Sequence, residues 1–201
     1  MTQTQRPIAV TIGDPHGIGP EIAVKAAVAL MQSGPRVILV GDRFIIEYYA
    51  QRLFPDIALR ETQDAAPGAG CLEYLPVDAM TPAQFKPGQI EAVAGAAMVA
   101  YAAAAIDLAR AGKAHAVVGC PHNETAVNRA GIPFTGYPGL VARLTGVPEE
   151  QVFMMLVGGG LRILHVTLHE RLADALARIT PQLVEAAVHA SVKALATLGV
   201  P

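Results

Sequence analysis

Apolar residues along the chain fall into short unbroken runs that are separated by longer stretches with helical spacing. The runs at 8–12, 36–40 and 116–120 are rich in Val and Ile, and a weaker run covers 72–76. Such runs are typical of strands that are buried on both faces of a sheet. One helical stretch begins at Pro20, and two others cover 42–54 and 89–111. The alternation predicts an α/β fold with a largely parallel sheet between two helical layers.

The last third of the chain predicts an antiparallel element. Stretches 152–157 and 161–167 flank three consecutive glycines at 158–160, which is a pattern typical of a β-hairpin. A last helix is predicted over 181–198, with Thr180 as its N-cap. Segments 64–70 and 81–88 are rich in Pro and Gly, so we expect surface loops there.

One uncharged stretch, 92–106, consists mostly of alanine. It is shorter than the roughly 20 apolar residues that a bilayer span requires, and alanine gains little from transfer into lipid. We therefore expect a buried helix whose small side chains allow close packing.

The junction after the first predicted strand contains three glycines and two prolines within residues 13–21. This composition predicts a tight turn that lets the backbone approach a ligand, although a strand-to-helix turn without chemistry fits it equally well. Open α/β sheets place their ligand sites at the carboxyl ends of strands. The glycine spacing matches neither the dinucleotide-binding fingerprint nor a P-loop.

Composition limits the binding partners and the cellular compartment that we expect for this protein. A net charge of −2 over 201 residues provides no basic field for nucleic acid and no polybasic membrane patch. The two cysteines do not suggest a disulfide framework, and the first residues lack a secretory signal. We therefore expect a cytoplasmic protein with no nucleic-acid or membrane partner.

Two further loops contain residues that could support chemistry. The stretch 120–126 places Cys120, His122, Asn123 and Glu124 at a strand-to-helix junction, where helix capping is the simpler interpretation. The turn at 134–139 can be a plain turn around Pro-Gly. In the stretch 164–170, His169 is predicted at the carboxyl end of a strand. No pair of histidines has the spacing of a complete metal site.

Taken in order, these motifs resemble the 4-hydroxythreonine-4-phosphate dehydrogenase family. The matching segments are Ile12-Gly13-Asp14-Pro15-x-Gly17-Ile18-Gly19-Pro20-Glu21, Ala130-Gly131-Ile132-Pro133-Phe134-x-Gly136, Met154-Met155-Leu156, Leu161-Arg162-Ile163, Val166-Thr167-x-His169 and Ile179-Thr180-Pro181. The resemblance implies an isocitrate/isopropylmalate dehydrogenase-like α/β/α fold with two domains around a cleft, truncated here on the C-terminal side. The domains would be 1–127 and part of a second, dimerisation and metal-site domain at 128–201.

The same resemblance implies NAD as cofactor and a divalent metal held by three histidines, with zinc expected. His169 corresponds to the first of these ligands. The other two, the catalytic residues and most of the cofactor site would lie beyond residue 201, and a homodimer would share its active site. The substrate class is a small molecule.

The positions at which this chain departs from the family pattern indicate the substrate of this chain. Members that act on phosphorylated substrates have Gly-His-Thr-Glu where this chain has Gly136-Tyr137-Pro138-Gly139, and a lysine in place of Glu124. Losing donors and reversing a charge disfavours a phosphate dianion. The altered set instead resembles the branch that oxidises and decarboxylates the cis-dihydrodiol of terephthalate to 3,4-dihydroxybenzoate, carbon dioxide and NADH. The predicted substrate-binding residues are Asp14, His16, His122, Asn123, Tyr137 and Pro138.

Glu124 would repel a dicarboxylate, so we expect it to point away, pair with a neighbouring base or cap the following helix. The alternatives are a dehydrogenase of 4-hydroxythreonine 4-phosphate or of a four-carbon sugar-acid phosphate, a phosphate acyltransferase-like protein and a non-catalytic binding module.

Overall fold

A computed structural model of the chain describes residues 6–32, 34–62 and 70–200. The chain divides into two compact units, an N-terminal unit (Met1–Pro133) and a C-terminal unit (Phe134–Pro201). Most of the loop predicted at 64–70 lies outside the described residues.

The described part of the N-terminal unit alternates strands and helices. Its elements are β1 (Ile8–Thr11), α1 (Gly19–Leu30), β2 (Val37–Gly41), α2 (Arg43–Leu53), β3 (Leu59–Glu61), β4 (Leu72–Pro76), a 3₁₀ turn (Pro82–Gln84), α3 (Ala92–Arg110), β5 (Ala116–Gly119) and α4 (Glu124–Arg129). The four predicted strands are confirmed. The short strand β3 was not predicted.

The five strands form one sheet in the order β3-β4-β2-β1-β5, and each neighbouring pair is parallel. Alternate residues point to opposite faces, as the pleat of a strand requires. Val10 and Leu39 belong to the apolar cluster that includes residues of α1 and α2, whereas Ala9 and Val40 pack with Ala105 of α3. The predicted α/β fold with a parallel sheet is therefore confirmed.

Helix α3 is long and apolar enough to cross a membrane by length and composition, with a mean hydropathy of 1.7. In this fold it packs instead against the sheet, and Tyr101 and Ala105 on its inner face are fully buried. A Cβ added at Gly95 would lie 2.2 Å from the backbone of Ala126 in α4. The small side chains of α3 thus allow close packing, as the sequence predicts.

The described part of the C-terminal unit contains α5 (Tyr137–Thr145), a 3₁₀ turn (Glu149–Gln151), β6 (Met154–Gly158), β7 (Leu161–His165), α6 (Leu172–Arg178) and α7 (Pro181–Thr197). Strands β6 and β7 pair antiparallel, with Leu156 opposite Ile163. Gly159 and Gly160 both have positive φ, which a type I′ hairpin turn requires. The hairpin and the last helix are confirmed, including the Thr180 cap, whose hydroxyl accepts from Leu183 N–H at 3.2 Å.

Candidate functional site

Two loops meet at the carboxyl ends of β1 and β5, because these strands are parallel neighbours. The Asp14 N–H donates to the Pro121 carbonyl at 2.9 Å. Gly13 has φ +70°, and a Cβ there would lie only 2.3 Å from the Pro121 oxygen. A glycine is therefore needed for this approach. The contact joins the loops that contain four of the predicted substrate-binding residues: Asp14, His16, His122 and Asn123.

The Asp14 carboxyl group is buried at this junction, and its Oδ1 accepts from the His16 N–H at 2.9 Å. Burial raises the pKa of Asp14, while the hydrogen bond from the His16 backbone lowers it in part. Desolvation wins because a carboxylate loses more from leaving water than one hydrogen bond returns. Asp14 therefore holds a proton more readily than an exposed aspartate.

The His16 side chain is only 2% exposed. Its Nδ1 lies 3.2 Å from the Gln89 carbonyl oxygen, and its Nε2 lies 3.0 Å from the Gln84 carbonyl oxygen. The Lys86 N–H donates to Nε2 at 3.1 Å. Both ring nitrogens thus face main-chain groups of the loop that precedes α3.

Asn123 is the N-cap of α4, and its Oδ1 accepts from the Ala126 N–H at 3.0 Å. The capping interpretation is therefore confirmed for this residue. Glu124 lies in the first turn of the same helix, where a negative side chain is favourable, and is more than half exposed. Its Oε1 is 3.9 Å from His122 Nε2, in keeping with an exposed glutamate near a base.

Cys120 precedes these residues and is buried. Burial raises the pKa of its thiol to about 11. The thiolate, which is the nucleophilic form, is therefore scarce at neutral pH.

A buried pair that the sequence did not single out lies at the carboxyl end of β2. Asp42 Oδ2 accepts from the Tyr101 hydroxyl at 2.5 Å, and Oδ1 accepts from the Ala79 N–H at 2.9 Å. Burial raises the pKa of Asp42 and of Tyr101, and the charge of Asp42 raises that of Tyr101 further. Asp42 is the N-cap residue of α2, yet its side chain makes no cap hydrogen bond.

In the C-terminal unit, a cavity of about 110 Å³ contains His169 in its lining. The His169 ring lies beside Gly136, because a Cβ added there would be 3.6 Å from His169 Cδ2. Gly136 has φ +127° and precedes α5, whose first two residues are Tyr137 and Pro138. The unit thus places the predicted metal ligand next to the turn that presents the other two predicted substrate-binding residues.

The local structure of these residues differs from the prediction in two respects. β7 ends at His165, so His169 lies in the loop that follows the strand and not at the strand end. The turn at 134–139 continues into α5, and the Tyr137 ring packs edge-to-face on Phe134 with centroids 6.1 Å apart. Glu170, the residue after His169, accepts from Arg178 Nη1 at 3.0 Å and so links this loop to the end of α6.

The side chains around His169 do not by themselves form a site for a divalent metal. Within 6–32, 34–62 and 70–200, no group of three His, Cys, Asp or Glu side chains could hold a metal ion. The cavity contributes one imidazole, that of His169, whereas a protein-bound zinc ion takes at least three protein ligands.

A larger cavity, of about 350 Å³, lies at the amino ends of β2 and β4, at the opposite end of the strands from the loop that contains Gly13. Its polar lining is dominated by Arg36 and the buried Glu73, whose side chains form an ion pair. Arg60 also donates to Glu73, at 2.9 Å. The predicted residues of the N-terminal unit instead lie at the carboxyl ends of β1 and β5, so we do not assign the candidate site to this cavity.

Comparisons with known proteins agree with the resemblance seen in the motifs. The family model of the pyridoxal phosphate biosynthetic protein PdxA matches residues 33–201. The chain is 45% identical to 1,2-dihydroxy-3,5-cyclohexadiene-1,4-dicarboxylate dehydrogenase of a Comamonas species, over 100% of this chain and 61% of that protein.

Two solved structures are similar to the fold. The terephthalate 1,2-cis-dihydrodiol dehydrogenase of Burkholderia xenovorans has a TM-score of 0.74 and 45% identity, covering 98% of this chain and 59% of that one. The 4-hydroxythreonine-4-phosphate dehydrogenase of Klebsiella pneumoniae has a TM-score of 0.85 and 28% identity, covering 98% and 61%. The chain therefore spans about 60% of the length of these relatives.

Proposed function

Because this chain belongs to the PdxA family, we propose that it forms part of an NAD-dependent, metal-dependent dehydrogenase acting on the cis-dihydrodiol of terephthalate. The observation that supports this substrate is the 45% identity, over the whole chain, to a dehydrogenase of that dihydrodiol. The altered turn at Tyr137 and Pro138 agrees with it, because it lacks the histidine and the threonine that the phosphate-binding members have there.

The proposed reaction has two stages. The ring carbon that bears a hydroxyl and a hydrogen gives a hydride to NAD⁺, while its hydroxyl gives up a proton. The resulting ketone is β to a carboxylate, so the C–C bond to that carboxylate breaks and carbon dioxide leaves. The electron pair of that bond returns to the ring as an enolate, which takes up the proton and is the phenol of 3,4-dihydroxybenzoate. The dianionic substrate and NAD⁺ thus become the product monoanion, carbon dioxide and NADH.

The residues of this chain have binding and orienting roles in the proposal. Tyr137 offers an aromatic face and a hydroxyl, which suit a flat ring that bears a carboxylate. Pro138, in the first turn of α5, restricts the backbone that presents Tyr137. Asn123 fixes the start of α4 and thereby the position of His122.

Glu124 would oppose a dicarboxylate substrate if it pointed into the site. Its exposure and its place beside His122 reduce this conflict.

For the metal, we propose His169 as one of three histidine ligands, with the others outside the described residues. No reaction step is assigned to the metal, because one imidazole does not define its place. We further propose a homodimer with a shared active site and a cytoplasmic location. The proposed domains are 1–127 and, at 128–201, part of a second domain.

The substrate test compares two compounds with NAD⁺ on the intact protein. We expect the terephthalate dihydrodiol to yield NADH and carbon dioxide in equal amounts, and 4-hydroxythreonine 4-phosphate to yield little NADH. The variant Glu124→Lys/Tyr137→His/Pro138→Thr should shift the preference toward the phosphorylated substrate. A wild-type preference for the phosphorylated compound would support the alternative dehydrogenase instead.

The metal test uses His169→Ala in the intact protein, with His189→Ala as a matched control, since His189 is an exposed histidine of the same unit. We expect His169→Ala to lose stoichiometric metal and turnover, while His189→Ala keeps both. Unchanged metal content in His169→Ala would rule out the ligand assignment.

A further inference from the structure

We propose that His16 is a positioning residue. Its neutral imidazole, with its hydrogen on Nδ1, links the loop 84–89 by hydrogen bonds to the loop that contains Asp14. The contribution of His16 to catalysis rests on the proposed function, whereas these hydrogen bonds between the loops do not. The role differs from the substrate contact that the motif alone suggested for His16.

The tautomer follows from the three main-chain groups around the ring. The Lys86 N–H points at Nε2 from 3.1 Å, so Nε2 must offer a lone pair. The hydrogen then resides on Nδ1, which donates to the Gln89 oxygen at 3.2 Å. In this tautomer the Gln84 oxygen faces the Nε2 lone pair at 3.0 Å, and only the opposite tautomer would donate to that oxygen. In the opposite tautomer, however, the hydrogen on Nε2 would face the Lys86 N–H, and the Nδ1 lone pair would face the Gln89 oxygen.

Main-chain hydrogen bonds extend this link in both directions. The Gly88 N–H donates to the His16 carbonyl at 2.7 Å, so the same loop contacts both the backbone and the ring of His16. The His16 N–H donates to the Asp14 carboxylate, and the Asp14 N–H donates to Pro121. A continuous path of hydrogen bonds therefore runs from the loop before α3, through His16 and Asp14, to the residue before His122.

Burial argues against direct contact between His16 and substrate. The ring is 2% exposed, both of its nitrogens are within hydrogen-bond distance of the main chain, and it packs near Phe85 with centroids 6.2 Å apart. A buried polar group that is already paired costs free energy to redirect. His16 thus acts on the candidate site through the two loops it joins.

The first experiment reads the tautomer and the loop by NMR on the chain. Ring ¹⁵N shifts should show a protonated Nδ1 and an unprotonated Nε2. The Lys86 amide should exchange slowly with solvent in the wild type and about tenfold faster in His16→Ala, because its acceptor is gone. His115→Ala, which removes an exposed histidine of the same unit, should leave the exchange of Lys86 unchanged.

Two conservative variants divide the ring's functions. A glutamine oxygen reaches the position of Nε2, so His16→Gln should keep Lys86 protected. An asparagine amide mimics Nδ1, so His16→Asn should keep the bond to Gln89 but expose Lys86. An Nε2-protonated ring, or equal Lys86 exchange in the wild type and His16→Ala, would overturn the proposal even if the protein had another activity.

Kinetics on the intact enzyme then test the link to the site. We expect kcat for the dihydrodiol to fall about tenfold in His16→Ala and to recover in part in His16→Gln, with KM changed little. A large rise in KM in all three variants, with Lys86 still protected, would instead assign His16 to substrate binding.

Discussion

The two units of the chain bury very different shares of their apolar side chains. The N-terminal unit surrounds its parallel sheet with fully buried residues such as Ile12, Leu39 and Ile45. In the described part of the C-terminal unit, the buried apolar side chains are Phe134, Leu140, Ala142 and Ala187. Large apolar side chains on its hairpin and helices are exposed, among them Leu156, Leu161, Leu172, Leu176, Val188 and Val192.

This difference shows which interactions hold each unit together. A parallel sheet that is covered on both faces gains its stability mainly from the apolar surface area that folding removes from water. A two-stranded hairpin is marginal by itself, so capping and ion pairs are a larger share of what holds the C-terminal unit. The Thr180 cap and the Glu170–Arg178 pair belong to this second class.

The largest expected effect comes from one matched pair of leucines. Leu39→Ala removes a side chain that is 0% exposed in β2, so the free energy of unfolding should fall by about 2–5 kcal/mol. Leu161→Ala, at 64% exposed in β7, should change it by less than about 0.5 kcal/mol. Urea unfolding of the chain, with residue-resolved hydrogen exchange to report each unit separately, measures both values.

Equal losses for the two leucines would show that the C-terminal hairpin is covered in solution. A small loss for Leu39→Ala would show that the sheet core relaxes around the deletion. Either outcome would remove the contrast between the units.

The same contrast explains which elements the sequence could predict. Four of the five strands of the sheet and α3 were predicted, because packing on both faces of the sheet demands unbroken apolar runs in the strands and a largely apolar helix against them. β3 was missed because it has three residues, two of them charged, and α6 was missed because it has no buried residue. The predicted end of β7 was too late, since exposed strands leave little periodicity to read.

The candidate site was predictable only where its contacts are local. The Asn123 and Thr180 caps follow from residues three positions apart. By contrast, the His16–Lys86 and Tyr101–Asp42 bonds join residues 70 and 59 positions apart. Their partners depend on how loops meet over the sheet, which no local pattern encodes.

A second prediction concerns the buried polar pair in the N-terminal unit. Tyr101→Phe removes the donor to Asp42, and losing a hydrogen bond to a buried carboxylate should cost about 1.5–3 kcal/mol. The exposed Tyr48 gives the control Tyr48→Phe, for which we expect little change. Urea unfolding at several pH values is the measurement.

The pH dependence has a definite sign. Burial already raises the pKa of Asp42, and the Tyr101 hydroxyl opposes that rise by stabilising the carboxylate. The folded protein therefore holds a proton on Asp42 to higher pH than the unfolded chain, and stability from this group declines as pH rises from 3.8 through the folded pKa. Removing the hydroxyl raises the folded pKa further, so Tyr101→Phe should be more harmful at pH 8 than near pH 4. A loss that does not depend on pH would mean that Asp42 remains protonated throughout.

The smallest expected effect tests the C-terminal unit at the loop next to His169. Arg178 and Glu170 are 3.0 Å apart and join that loop to the end of α6, whereas the neighbouring Arg171–Asp174 pair is 3.7 Å apart and lies within three residues. A double-mutant cycle with Arg178→Met and Glu170→Gln should give a coupling of about 0.5–1 kcal/mol, since Glu170 is mostly buried and Arg178 half exposed. The cycle with Arg171→Met and Asp174→Asn should give nearly zero, because both side chains are well exposed.

Salt distinguishes the two pairs further, because screening weakens an exposed pair before a partly buried one. The Glu170–Arg178 coupling should persist in part at about 0.5 M salt, and Arg178→Met should speed amide exchange in the loop 166–170 while Arg171→Met leaves it unchanged. Similar coupling for the two pairs would mean that the link across the loop adds nothing to a local ion pair. The position of His169 would then not depend on this ion pair.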